Sequence, residues 1–222
     1  MSGPAGRPLL LVVGAGPGVS GSVARRFARE GYDVGLLGRD EEQLVRLAGE
    51  LEALGATVGR ALVDVTDIAA TTAAIQRLAA GSGRVDVLHV NPSAYRAADP
   101  LTLTLAGLLE DVALGVGALL TSVQAARPFM GAGARVTVTG SMAADEPSPA
   151  AASLGVQKAG VRNLVHSLDQ TLAPDGIRAV SVTVRGALAR EGVLTPDRVA
   201  EAIWAAAHQD EAAWASEVPY PG

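Results

Sequence analysis

Short runs of apolar residues alternate along the chain with longer stretches in which apolar positions recur every three or four residues. Leu9 to Val13 are all apolar, the pattern of a strand buried on both faces. Helical spacing follows over 19–30, with Val23 and Phe27 on one side. A second strand is predicted over 33–37 and is ended by Gly38. Leu44, Leu47, Leu51 and Leu54 then mark a helix over 41–54, with Asp40 as its N-cap. The pattern repeats as a strand over 57–63, a helix over 68–80 and a strand over 85–90 that stops at Asn91-Pro92. A long helical stretch over 105–127 has Gly115 and Gly117 weakening its middle. A strand over 135–139, a helix over 150–172 ending before Pro174-Asp175-Gly176, and a strand over 177–184 complete the alternation. A last helix spans 196–207, with Thr195 as N-cap and Pro196 at the first helical position. A short edge strand around Val218 is expected, and the nearby prolines limit its length.

Alternation at this spacing predicts an α/β, Rossmann-type, doubly wound parallel sheet with helices on both faces. No linker, repeat or low-complexity tract divides the 222 residues, so one domain over 1–222 is expected.

Composition narrows the function. Hydrophobic residues make up 49% of the chain but aromatic ones only 3%, which suits close helix-on-sheet packing. A net charge of -5 without a basic block gives nucleic acid nothing to bind. The chain has no cysteine, so disulfides, thiolate metal sites and cysteine nucleophiles are excluded. Residues 1–8 lack the pattern of a secretory leader, and no segment reads as long and apolar enough to span a membrane. A cytoplasmic location is the expectation. The histidines suggest no metal site; His89 alternates with Leu88 and Val90 as a core residue would.

Gly14, Gly16 and Gly18 fall at the turn between the first strand and the first helix. Glycines there allow a tight turn and close approach of a pyrophosphate to a helix N-terminus. They also simply make turns; their position in an alternating chain favours the nucleotide reading. Arg39 follows the second strand, where an acidic residue would bind a ribose diol. A guanidinium there favours NADP(H) over NAD(H), the plainer reading being a solvated loop residue.

These features together resemble the short-chain dehydrogenase/reductase family over nearly the whole chain. The run Val13-Gly14-Ala15-Gly16-Pro17-Gly18-Val19-Ser20 is similar to that family's cofactor loop, with Val13 and Ser20 departing from its usual residues. Asp64-Val65 resembles the acidic step that meets the adenine, and Asn91-Pro92-Ser93 stands for the family's Asn-Ala-Gly. Ser141 falls at the position of the catalytic serine, Lys158 at that of the lysine, and Gly186-Ala187-Leu188 at the segment lying against the nicotinamide. The departures fall on the chemistry. Leu154 stands one turn before Lys158, where the family's proton-donating tyrosine would be. Gly115 is near the place of an asparagine that supports a water relay, Arg185-Gly186 replaces a Pro-Gly, and the stretch 186–195 is short for a substrate-covering loop.

The resemblance makes Lys158 a donor to the nicotinamide ribose, against the plain reading of an exposed helix lysine. Ser141 either orients a substrate carbonyl or caps a turn. Tyr95, on a loop of the cofactor side, is the first candidate for a replacement acid, against a tyrosine packed under the loop; Asp145 and Glu146 follow. Trp204 and Trp214 read as packing for the last helix and tail, with pocket lining as the alternative. Three functions compete: an atypical NADP(H)-dependent oxidoreductase acting on a small molecule, a non-redox isomerase, dehydratase or cyclase on the same scaffold, and a cofactor-binding protein without catalysis. The first is adopted. By the same resemblance the two long helices pair into a homodimer or homotetramer.

Overall fold

The computed structural model describes residues 6–222. Part of the leader expectation falls on residues 1–5, outside the described residues. Seven strands form one wholly parallel sheet: β1 Leu9–Val13, β2 Asp33–Gly38, β3 Val58–Leu62, β4 Val87–Val90, β5 Arg135–Ser141, β6 Arg178–Val184 and β7 Glu217–Tyr220. Their order is β3-β2-β1-β4-β5-β6-β7. The chain winds outward from β1 to β3, then returns to β4 on the other side of β1. That reversal opens a crevice at the carboxyl ends of β1 and β4, where sheets of this kind bind ligands.

Neighbouring residues of a strand face opposite layers. Leu11 of β1 joins Leu88, Val136, Ile75, Leu119 and Val165 in one core. Leu10 and Val12 join Val23, Phe27, Leu36, Leu51 and Ile203 in the other. The first core is covered by α3 Ile68–Ser82, α5 Ala118–Ala126 and α6 Ala152–Leu172. The second is covered by α1 Val19–Arg29, α2 Glu41–Ala53 and α7 Pro196–Ala207. Each fully buried leucine or phenylalanine in these layers contributes about 1.5–3 kcal/mol.

Caps set the helix starts. Asp40 accepts from Gln43 N at 3.0 Å and Thr195 from Arg198 N at 3.4 Å, as the sequence led one to expect. The edge strand β7 does form, and Trp204 and Trp214 pack against the second core beside α7 and the tail.

Two expectations need correction. The stretch after β4 is not one regular helix: α4 Leu105–Val112 runs into a π-helical turn, Ala113–Gly117, before α5. The two glycines, poor helix formers, lie inside that turn. The joined run Leu105–Phe129, 25 residues whose most apolar 18-residue window has mean hydropathy 1.5, is also long and apolar enough to cross a membrane, contrary to the sequence reading. In this fold 44% of its most apolar window is buried, with Leu119 and Val123 in the first core.

Candidate functional site: a two-ended cleft at the switch point

Two hollows lie along the carboxyl edge of the sheet and share Asn91 and Ser93 in their walls. The smaller, about 190 Å³, is lined by Gly14, Arg39, Val63, Asp64, Val65 and Pro92 among others. The larger, about 560 Å³, is lined by Val19, Tyr95, Thr139, Ser141, Leu154, Lys158, Gly186 and Leu188 among others. The residues named from sequence therefore fall together, with Asn91 at the join. Gly16, Pro17 and Gly18 line neither hollow; they form the turn that leads into α1.

The turn after β1 has the geometry of an anion cradle. Gly14 has φ +81°, and a Cβ there would lie 2.8 Å from the Pro92 nitrogen, so only glycine fits. Gly18 is the N-cap of α1 and offers no side-chain cap; the first turn carries no acidic residue. Nothing lies within 4 Å of where a Gly18 Cβ would sit. The first-turn N–H groups of α1 are thus left without a side-chain cap, at the positive end of the helix dipole. Ser20, which departs from the family's glycine, ties the loop down: its hydroxyl donates to Gly14 O at 2.9 Å and accepts from Asn91 Nδ2 at 2.9 Å. Arg39 is exposed at the rim. Asp64 accepts from Thr66 N and Thr66 Oγ1 at 2.9 and 2.7 Å, and these bonds hold its carboxyl below the usual range.

At the other end, Lys158 is buried rather than exposed. Its Nζ donates to Thr139 O at 3.0 Å. Burial lowers its pKa from 10.5 to about 8, and no neighbouring charge contributes. Ser141 caps a turn, its Oγ accepting from Ala143 N at 3.2 Å, and it also lines the hollow. Tyr95 lines the same hollow but is 71% exposed, which removes the reading of a tyrosine packed under the loop. Asp145 is engaged elsewhere, by Arg162 and by Arg185 at 3.0 Å, and neither it nor Glu146 lines the hollow. His89 is a core residue: it is wholly buried against Thr137 Oγ1 at 3.0 Å, and burial drives its pKa down to about 3. The short stretch after β6 folds back on itself, with Ala189 N donating to Leu194 O at 2.9 Å.

Sequence reasoning missed two features. Gln157, fully buried, donates to Asp111 O at 2.9 Å and accepts from Ser93 Oγ at 2.9 Å, so it ties α6 to α4 and to the loop after β4. Its side chain fills the space over Gly115, where a Cβ would lie 2.7 Å from Gln157 Cδ. The small residue at 115 was the available signal. Thr139 was the second omission: the residue lines the larger hollow, and its buried Oγ1 has no hydrogen-bond partner among the described residues.

Comparison with known proteins agrees with this geometry. The short chain dehydrogenase family matches residues 8–189, and the chain belongs to that family. Sulfoacetaldehyde reductase 2 of Chromohalobacter salexigens is 32% identical over 178 residues, 78% of this chain and 70% of that protein. The 2-dehydro-3-deoxy-L-rhamnonate dehydrogenase (NAD(+)) of a Sphingomonas species is 30% identical over 78% of this chain and 69% of its own. A short chain dehydrogenase from Burkholderia cenocepacia, solved in complex with NADP, superposes with a TM-score of 0.89 at 25% identity, over 97% of this chain and 96% of that one. The protein is thus an oxidoreductase of the short-chain type by family and fold.

Proposed function

We propose that this chain is an atypical NADP(H)-dependent oxidoreductase that reduces or oxidises a small carbonyl, enone or imine compound without a tyrosine one turn before Lys158. The observation that carries this reading is the pair of adjoining hollows, one walled by Gly14, Arg39 and Asp64 and the other by Lys158 and Ser141, which share Asn91 and Ser93. Gly14, Gly16, Pro17, Gly18 and the start of α1 would hold the pyrophosphate, and Asp64 with Val65 the adenosine. Arg39 would meet a 2′-phosphate, and the Burkholderia relative's bound NADP supports that choice. Asn91 and Lys158 would reach the nicotinamide ribose, with Val19, Gly186 and Leu188 against the ring. When bound, a dihydronicotinamide supplies hydride. The chain's own part is to orient the acceptor on Ser141, exclude water with Leu154, Val184 and Leu188, and handle one proton.

Titration of the protein with NADPH and NADH, followed by fluorescence, tests the reading. Tighter NADPH binding is expected; no binding of either dinucleotide would end it. Leu154 favours a second reading, a cofactor-binding protein without catalysis; Arg39→Ala with intact NADPH preference would show that Arg39 does not read the 2′-phosphate. We further assign the chain to the cytoplasm, as a homodimer or homotetramer paired through α4–α6, where Leu105, Leu109, Leu120 and Val156 are exposed. Light scattering on the purified protein reads the assembly directly.

A further inference from the structure

Lys158 is the only lysine in the chain; the other seventeen residues in the Lys+Arg total of 18 are arginines. It is also the one cationic side chain in the wall of the larger hollow, and among the described residues its Nζ has one partner, Thr139 O. An ammonium has three donors. Two therefore remain for whatever enters the hollow. In the same wall stands the Ser141 hydroxyl, whose proton is not committed by its bond from Ala143. Leu154, in the same wall, offers neither donor nor acceptor. We propose that Lys158 is itself the proton donor to the substrate oxygen in this chain, acting directly on the reacting atoms rather than through a phenol. The proposal rests on the oxidoreductase reading above and names the acid of that same site.

The step balances. As hydride reaches the carbonyl carbon, the C=O π pair moves onto oxygen, one N–H bond of Lys158 breaks and an O–H bond forms. The carbonyl is reduced by two electrons, the hydride donor is oxidised, and the neutral amine takes a proton back from water. An acid works best when its pKa lies near the working pH. Burial has moved this amine from 10.5 to about 8, whereas an exposed lysine would hold its proton too tightly. The charged groups on the surrounding elements are otherwise engaged. Asp111 and Glu110 on α4 bond Arg96; Asp145 and Glu146, after β5, pair with Arg162 and Arg185; Arg185, after β6, is held by Asp145. Tyr95, on the loop after β4, is the one other titratable side chain lining the hollow.

Three measurements on the full chain test this. Acetylation with acetic anhydride, read by mass spectrometry, has only the N-terminus and Lys158 to modify as amines; the pH dependence at Lys158 is expected to have its midpoint near 8, and a midpoint near 10.5 would overturn the proposal. Reduction of diacetyl and benzaldehyde by NADPH is expected to fall about tenfold per pH unit above that midpoint, because the acid must be protonated. Lys158→Arg keeps a cation and a ribose donor but releases no proton in this range. Its kcat/KM is expected to drop at least about 100-fold, with NADPH affinity changed by less than about tenfold. Lys158→Gln is the second variant should the larger side chain not fold. Turnover within about threefold of wild type in either variant, or a pH profile without that fall, would overturn the acid role. NADPH binding with no reduction of either carbonyl by wild type also overturns it while leaving the cofactor reading intact; failure to bind NADPH removes both.

Discussion

At the cradle end of the cleft, Ser20, Asn91, Asp64 and Thr66 are tied to one another and to the backbone by hydrogen bonds, and Gly14 leaves no room for another residue. At the lysine end, among the described residues, Thr139 Oγ1 has no partner and Lys158 has one, although both are buried. The first end keeps its shape by itself. The second holds polar groups away from water without matching them, at a cost in stability that a bound polar molecule would relieve. A shape that must be ready before the ligand arrives is built from satisfied bonds, and a group that must react is built from unsatisfied ones.

Four substitutions set the two ends against each other. Gly14→Val forces a β-branched residue to positive φ and against Pro92; a loss of about 3 kcal/mol or more is expected in denaturant unfolding, together with loss of NADPH binding. A variant that unfolds at the wild-type midpoint would show that the cradle is not preformed. Leu154→Tyr works on the other end alone. It is expected to raise NADPH-dependent reduction of diacetyl about 100-fold below pH 8, by adding a phenol to the acid already present, without changing NADPH affinity; an unchanged rate would show that Lys158 alone suffices as the acid. Arg39→Ala is expected to weaken NADPH binding about 10–100-fold and leave NADH nearly unaffected, as calorimetry can read. The smallest effect is on stability. Lys158→Met removes a buried charge whose penalty at neutral pH is about 3 kcal/mol, against about 1–2 kcal/mol for leaving Thr139 O unpaired, so a net gain of about 1–2 kcal/mol is expected at pH 7. The sign follows from the lowered pKa: between about 8 and 10.5 the unfolded chain binds more protons, so wild-type stability rises with pH through that window. The methionine variant lacks that rise, and unfolding curves at pH 7 and 10.5 distinguish the two.

Much of this was legible because it depends on local pattern. Apolar runs and helical spacing gave the strands and helices, and Asp40 and Thr195 announced their helix starts. Gly14, Gly16 and Gly18 marked the turn, although only Gly14 stands where a side chain could not. What escaped depends on residues far apart. Gln157 meets Ser93 from 64 positions away and Asp111 from 46, and no local spacing reports such a meeting. The burial of Lys158 is of the same kind: one turn of helix looks alike on either side until the sheet lies beneath it. The π-helical turn was half legible, since its glycines were seen as a weakness but not as a change of pitch.

The contact between Gln157 and Gly115 also constrains how this chain can change over time. A longer side chain at 115 collides with Gln157, so it becomes acceptable only after Gln157 has been shortened. Shortening Gln157 first releases Ser93 and leaves the Asp111 carbonyl without this partner. Each single step loses packing or hydrogen bonds that only the paired change avoids. The two positions form a ratchet, and a sequence that has passed through it does not easily return one residue at a time.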